Sequence, residues 1–453
     1  MHKRASILIG LLWCLALLSV VVIGLLHTAR LDLIVVKNHG DRIQAHYIAL
    51  AGVEKTKALL YHDMLNRRGV SRNHTGLLYD DPKEFREVDF GRGKFRVIHR
   101  DPDSGEMIYG ITDEESRLNV NVATPENFTK IKGMTPDIVA AIIDWRDGNN
   151  EVTPSGAEAD YYASLQPPYL PRNGPFQTKR ELLMVRGITR ELLLGDDFEQ
   201  NGLLDSDGDD DNSPGKNRKA LRDPGWASLF TVDSTVENHN AAGKNRVDIK
   251  SADEGSLTSI KGISSQIAKA IIANRNQNQF ESIADLLDVV EIQNQPGQSP
   301  APPNRPNPTR GQSTRSSRPT SSGPRVISDE LFMDIADDVA VDTETRYPGL
   351  ININTASLDV LTCLTGIEPE LAQAIISHRK SDGYFANVGW LLKVPGMTRE
   401  IFKQVAPRIT ARSDTFRIIS EGKVTSTGAR QRIEAIVHIE RYTIETLSYR
   451  EDL

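Results

Sequence analysis

The sequence predicts an α+β protein: one long N-terminal helix packed on a small antiparallel sheet, with a large all-α region inserted between the strands. Three observations lead there. An uncharged run opens the chain, segments with period-two alternation lie on both flanks of the interior, and one unit recurs three times between them.

The recurring unit is fixed by spacing. Asn119, Asp248 and Asn352 each stand fourteen residues before a glycine (Gly133, Gly262, Gly366). Each glycine precedes an Ile-Ile pair by nine residues and an arginine (Arg146, Arg275, Arg379) by thirteen. After a variable gap, Phe176, Phe280 and Phe385 each precede a Leu-Leu pair by six and a valine by nine. Self-similarity of this kind defines a structural unit. Each copy reads as paired short helices. Phe128 and Ile131 make an apolar step, Gly133 closes that helix, and Thr135-Pro136 supply an N-cap and a first-turn proline for the next. Ile138, Ala141, Ile142 and Trp145 face one way at helical spacing. Glu181–Leu183 and Val185–Thr189 repeat the helix–glycine–helix form.

Before the units, Ala5 to Leu26 carries no charge, and Ser6 to Leu26 is long enough to span a bilayer. Lys3 and Arg4 place the amino terminus in the cytoplasm and the bulk of the chain outside. No proline occurs before Pro82, and Leu31, Ile34, Ile43, Tyr47, Leu50, Val53, Leu60 and Leu65 prolong an apolar stripe. The expectation is one helix of roughly sixty residues, the first part in lipid and the second amphipathic. Strands follow at Lys94–His99 and Glu106–Ile111 around a turn, and again between Thr415 and Arg441 with a turn at 426–428. A lone hairpin is marginal, so the two ends are expected to share one sheet.

These readings divide the chain into a leader (1–5), the helix (6–66), first strands (67–117), helical unit 1 (118–195), an acidic insertion (196–247), unit 2 (248–293), a linker (294–326), unit 3 (327–412) and last strands (413–453). In the insertion, Asp205, Asp207, Asp209 and Asp211 place oxygens around Gly208 at a spacing that suits a structural calcium ion, though a solvated acidic loop has the same composition. Asp113, Glu114 and Asp160 are weaker cation candidates; Asp144 and Asp147, flanking Trp145, read as helix-surface or capping groups. The linker carries eight prolines, five arginines and no acid between Asn294 and Arg325, a composition of extended chain.

Little points to catalysis, and no enzyme is expected. Cys14 and Cys363 cannot pair, and Cys363 is expected on an exposed or half-exposed helix face. The ten histidines show no metal-ligand spacing, and there is no phosphate-binding glycine loop. With 54 Lys+Arg against 61 Asp+Glu, net −7, nucleic acid is not an expected partner.

The repeated units resemble helix-hairpin-helix modules, and the opening at Asn354–Ala356 is similar to that of the DNA receptors of natural competence. Those hairpins hold phosphate at a Gly-hydrophobic-Gly turn; here the second glycine is replaced in every copy, by Thr135, Ser264 and Glu368 in the first hairpins. The basic leader, long helix and following domain resemble the type IV pilin and pseudopilin architecture. The order of Asp113–Asn121, Ala141–Gly148, Gly156–Tyr162, Pro167–Tyr169 and Asn173–Gln177 is similar to the large minor pseudopilin K of type II secretion. That resemblance implies a pilin-like fold and cleavage by prepilin peptidase between Ala5 and Ser6. It implies a bacterial inner-membrane anchor with a periplasmic bulk, and contacts with other minor pseudopilins and the inner-membrane assembly platform. It also implies bound calcium and a tip position that starts pseudopilus assembly for protein export. Gly10 stands where pilins carry the fifth-position glutamate, which suits a tip subunit. The alternative is a membrane-anchored helix-hairpin-helix protein that captures DNA.

Overall fold

The structure, a computed structural model, describes residues 2–66, 78–101, 105–195, 225–277, 279–291, 323–440 and 443–451, with side chains from Leu11 onward. Helix α1 runs without a break from His2 to Asn66. From Leu11 through Gly40 it is exposed on every side. Its last turns lie on an antiparallel sheet built from β1 (Val88–Phe90), β2 (Gly93–Val97), β3 (Thr112–Asp113), β4 (Thr415–Val424), β5 (Arg430–Glu440) and β6 (Thr443–Arg450). The order is β1-β2-β4-β5-β6, with β3 also on β4. Strand β4 pairs Ser420–Val424 with Val97–Gly93, so the two ends of the chain do share one sheet.

The face that α1 buries shares only part of the expected stripe, Val53 and Leu60. Ala45, Ile48, Ala49, Val53, Thr56 and Leu60 are buried, whereas Leu31, Ile34, Ile43, Tyr47 and Leu65 are exposed. Size decides the phase of the helix. A Cβ on Gly422 would lie 2.2 Å from the Ala45 carbonyl oxygen, and one on Gly52 would lie 2.2 Å from Ser420 Oγ. Only small residues let a helix backbone come this close to a strand. Strand β6 extends the sheet beyond the expected end at Arg441; its mixed polar sequence and the irregularity between Ile436 and Val437 hide the alternation.

The inserted region contains three closed units. Each begins with a two-residue strand that pairs in parallel with the strand by which the chain leaves: Leu118–Asn119 with Phe230–Thr231, Val247–Asp248 with Val339–Ala340, and Ile351–Asn352 with Ile409–Thr410. Unit 1 holds α2 (Pro125–Thr129), α3 (Pro136–Arg146) and α4 (Arg190–Leu194). Unit 2 holds α5 (Glu254–Thr258), α6 (Ser265–Gln277) and α7 (Asp329–Ile335). Unit 3 holds α8 (Leu358–Thr362), α9 (Pro369–Ser381) and α10 (Arg399–Val405). The first helix of each second hairpin is 3₁₀, at Lys179–Met184, Ile283–Asp288 and Val388–Lys393.

The repeated arginine has one job in all three units. Arg146 donates to the carbonyls of Val120 and Ala123, Arg275 to those of Ile249 and Ala252, and Arg379 to those of Ile353 and Ala356. It thereby satisfies backbone acceptors at the turn from first strand to first helix. Asn121 and Asn354 add a second clasp, each bonded to the backbone of the phenylalanine (Phe176, Phe385) that opens its second hairpin.

Two expected boundaries move. Residues 225–231 belong to the closure of unit 1 and not to an insertion between units, because Phe230–Thr231 is its exit strand, while Thr235–Glu237 pairs with Arg346–Pro348 ahead of unit 3. Helix α7 completes unit 2 and not unit 3. Its N-cap Ser328 stands where Thr189 and Thr398 cap α4 and α10, and a Cβ on Gly262 would meet Leu331. The proline-rich stretch therefore interrupts the second hairpin of unit 2, and the Val290–Arg325 bridge joins its two sides; residues 292–322 lie outside the described residues. Cys363 is 3% exposed, against expectation, because unit 1 covers it: Asn127 donates to its carbonyl oxygen at 2.8 Å. Burial pushes its thiol up to about 12, far from a nucleophile's range.

Candidate metal centre

The carboxylates of Asp144, Asp147 and Glu158 converge, each offering an oxygen within 4.8 Å of the others. Helix α3 supplies the first two. Asp144 lies in its last turn and is fully buried; Asp147 is its C-cap. Glu158 comes from the following loop, just before the short helix Ala159–Ala163, and is 2% exposed. The Thr153 N–H donates to Asp144, and Gly156 brings the loop backbone so near that a Cβ there would lie under 2 Å from Asp144 Oδ2. Trp145, between the acids, turns the other way into Tyr162, Tyr169 and Phe176, which fixes α3 in rotation.

Electrostatically the cluster is incomplete as it stands. Both Glu158 oxygens are buried without a hydrogen-bond partner among the described residues. Burial, then the charges of Asp144 and Asp147, raise its pKa. A hard cation removes all three penalties, and oxygen-only donors suit calcium or magnesium better than zinc. The donor set thus fits a bound divalent ion. Asp147 is the helix C-cap, as expected, and accepts from the Asn149 N–H, whereas Asp144 is buried rather than on the helix surface. Glu158 carried no usable signal, since only the fold brings it to α3.

The other expected sites fall elsewhere. Asp205, Asp207, Asp209 and Asp211 lie outside the described residues. Ala5 and Ser6 sit in the first turns of α1, outside the side chains described. Asp113 and Glu114 do not join Asp160. Asp113 accepts from Asn352, Thr355 and the Glu115 N–H, and Glu114 is paired with Arg417 at 2.7 Å and Arg117 at 3.2 Å.

The hairpin turns have the left-handed glycine expected, with φ of 81° at Gly133, 102° at Gly262 and 90° at Gly366. The helix N-termini beyond them are mostly capped from within: Thr135 accepts from Ile138 N–H, Ser264 from Ile267 N–H, Thr189 from Leu192 N–H and Thr398 from Ile401 N–H. A hydroxyl thus meets the donors that a phosphate would otherwise meet.

Residues 243–296 and 349–410 match the helix-hairpin-helix motif, and residues 119–194 match type II secretion system protein K. Type II secretion system protein K of Pectobacterium carotovorum subsp. carotovorum is 26% identical over 213 residues, 42% of this chain and 60% of that one. Residues 119–194 are thus similar to type II secretion system protein K. Protein K of Klebsiella pneumoniae is 28% identical over 172 residues, 34% of this chain and 48% of that one. ComE operon protein 1 of Bacillus subtilis (strain 168) is 36% identical over 73 residues, 16% of this chain and 36% of that one. The chain thus spans between about a third and three fifths of the lengths of these relatives. A crystal structure of the GspK–GspI–GspJ complex from the type 2 secretion system of enterotoxigenic Escherichia coli aligns over 90% of this chain and 97% of that one, with TM-score 0.43 and 12% identity. The protein K match falls on unit 1, which carries the carboxylate cluster; the helix-hairpin-helix matches fall on units 2 and 3.

Proposed function

We propose that the chain is a minor pseudopilin at the tip of a type II secretion pseudopilus, where it starts filament assembly and supports protein export across the outer membrane. The observation that carries this is the bare stalk of α1. Between Leu26 and Ala45, the first residue buried on the sheet, lie about 28 Å of helix. This stalk exposes Leu33 at 71%, Val35 at 65% and Val36 at 68%. A solvated helix does not keep such a surface uncovered. Helices of the same kind, from other minor pseudopilins, would cover it while the preceding segment sits in the inner membrane. Units 1 to 3, mounted on the sheet, would then block addition of a subunit above. The work is done by shape and contact, not catalysis. The inner-membrane assembly platform is the further partner.

Two chemical features accompany this role. Asp144, Asp147 and Glu158 would hold a structural calcium ion, and Asp205, Asp207, Asp209 and Asp211 are candidates for a second. Prepilin peptidase would cut between Ala5 and Ser6, leaving the amino terminus of α1 cytoplasmic in origin and the bulk periplasmic. The test is the amino-terminal mass of protein recovered from membranes of its own host. A chain beginning at N-methylated Ser6 is expected. An intact Met1 would contradict incorporation into a filament, and salt-dependent DNA binding by the same preparation would then favour the DNA-capture reading.

A further inference from the structure

Three successive acids, Asp113, Glu114 and Glu115, are all buried where the inserted region meets the sheet. Their partners differ. Glu114 has Arg417 and Arg117; Asp113 and Glu115 have only neutral donors and each other. Asp113, at the end of β3, is held by Asn352 and Thr355 of unit 3. Glu115 receives the N–H groups of Thr235, from the segment leaving unit 1, and Thr415, the first residue of β4. One carboxyl pair therefore ties unit 1, unit 3 and the sheet together.

Two buried carboxylates without a cation cannot both be charged cheaply. We propose that the Asp113–Glu115 pair is a proton-dependent latch, which fastens the helical region to the sheet while it keeps one proton and loosens that joint when it loses it. The surroundings reinforce the retention of the proton. Asp414 adds a negative charge beside Glu115. The nearby Arg417 is already matched by Glu114 and Glu434, and His438, bonded to the Thr415 hydroxyl, faces Glu237. Lys179 and Asp233 complete the charged groups around Glu114. Burial, then Asp113, raises Glu115 well above the ordinary carboxylate value, and burial raises Asp113. A raised folded pKa gives stability that is complete below the unfolded value and is lost as pH climbs through the folded one.

The test uses the full-length protein in detergent micelles, followed by infrared spectroscopy and limited proteolysis from acid to alkaline pH. At neutral pH the wild type is expected to show a buried protonated carboxyl that Glu115→Gln lacks. Cleavage of the wild type should accelerate by up to about tenfold per pH unit, the slope of a single proton, until the pair has titrated; Glu115→Gln should lack that rise. A wild type with no protonated carboxyl at neutral pH, or a variant with the same alkaline rise, would overturn the proposal. Should Glu115→Gln fail to fold, Asp113→Asn serves instead. Without its charged neighbour Glu115 must give up its proton at lower pH, and an unshifted profile would be equally fatal.

Discussion

Replacing Arg417 with methionine should destabilise the protein by about 3–5 kcal/mol, the usual cost of removing one partner from a buried ion pair. Arg417 lies within β4, 5% exposed, and its guanidinium meets Glu114 with Nε at 2.7 Å and Nη2 at 3.1 Å. It also reaches Glu434 on β5 at 3.4 Å. Burial alone would raise Glu114; Arg417 and then Arg117 outweigh it and hold that carboxyl well below the usual range. Methionine keeps much of the volume, so the loss reports charge more than packing. The pH dependence follows from the sign. A depressed folded pKa gives stability present above the unfolded value and lost as pH falls, so the wild type should weaken in acid through Glu114. In the double variant Arg417→Met with Glu114→Gln, part of the loss should be recovered, since Glu114 no longer strands a charge, while Glu434 and Arg117 each still lack a partner. Chemical denaturation of the three proteins at pH 7 checks this.

The second large effect concerns calcium. At about one hundred times its dissociation constant, a single bound ion stabilises the folded state by about 2.7 kcal/mol, and a chelator should remove that gain. Glu158→Gln should abolish the part that depends on Asp144, Asp147 and Glu158. It should also raise stability without metal, because the variant relieves a buried carboxylate with no hydrogen-bond partner. Protons compete for Glu158, so calcium binding should weaken as pH falls. Any calcium-induced stabilisation that persists in Glu158→Gln and disappears when Asp205, Asp207, Asp209 and Asp211 are changed to asparagine would place the ion in the acidic segment instead.

How far the sequence carried depends on the range of each interaction. The threefold spacing of glycine, Ile-Ile and arginine was visible because every unit must make the same local turns, and the long helix because nothing interrupts its pattern. The task of the repeated arginine was hidden: its acceptors are backbone carbonyls, which leave no trace in residue identity. The face of α1 was only partly legible: Val53 and Leu60 of the apolar stripe are buried, but the small residues Ala45, Ala49 and Gly52, which let the sheet approach, gave no apolar signal. The second hairpin of unit 2 was cut in two by the proline-rich stretch, so α7 looked like the start of unit 3. Of the carboxylate cluster, Asp144 and Asp147 were visible as a pair. Glu158 was not, since its meeting with them depends on the loop that Gly156 lets close against Asp144.

The central claim is that pilin-like helices cover the stalk. Its most direct measurement is site-specific photocrosslinking from Val36, one of the most exposed apolar residues beyond the membrane segment, in living cells of the native host. Irradiation should yield adducts with small proteins that themselves begin with a pilin-like helix, identified by mass spectrometry, and a crosslinker at the exposed Leu170 of unit 1 should not give the same adducts. Adducts confined to lipid, or none at all, would contradict the account.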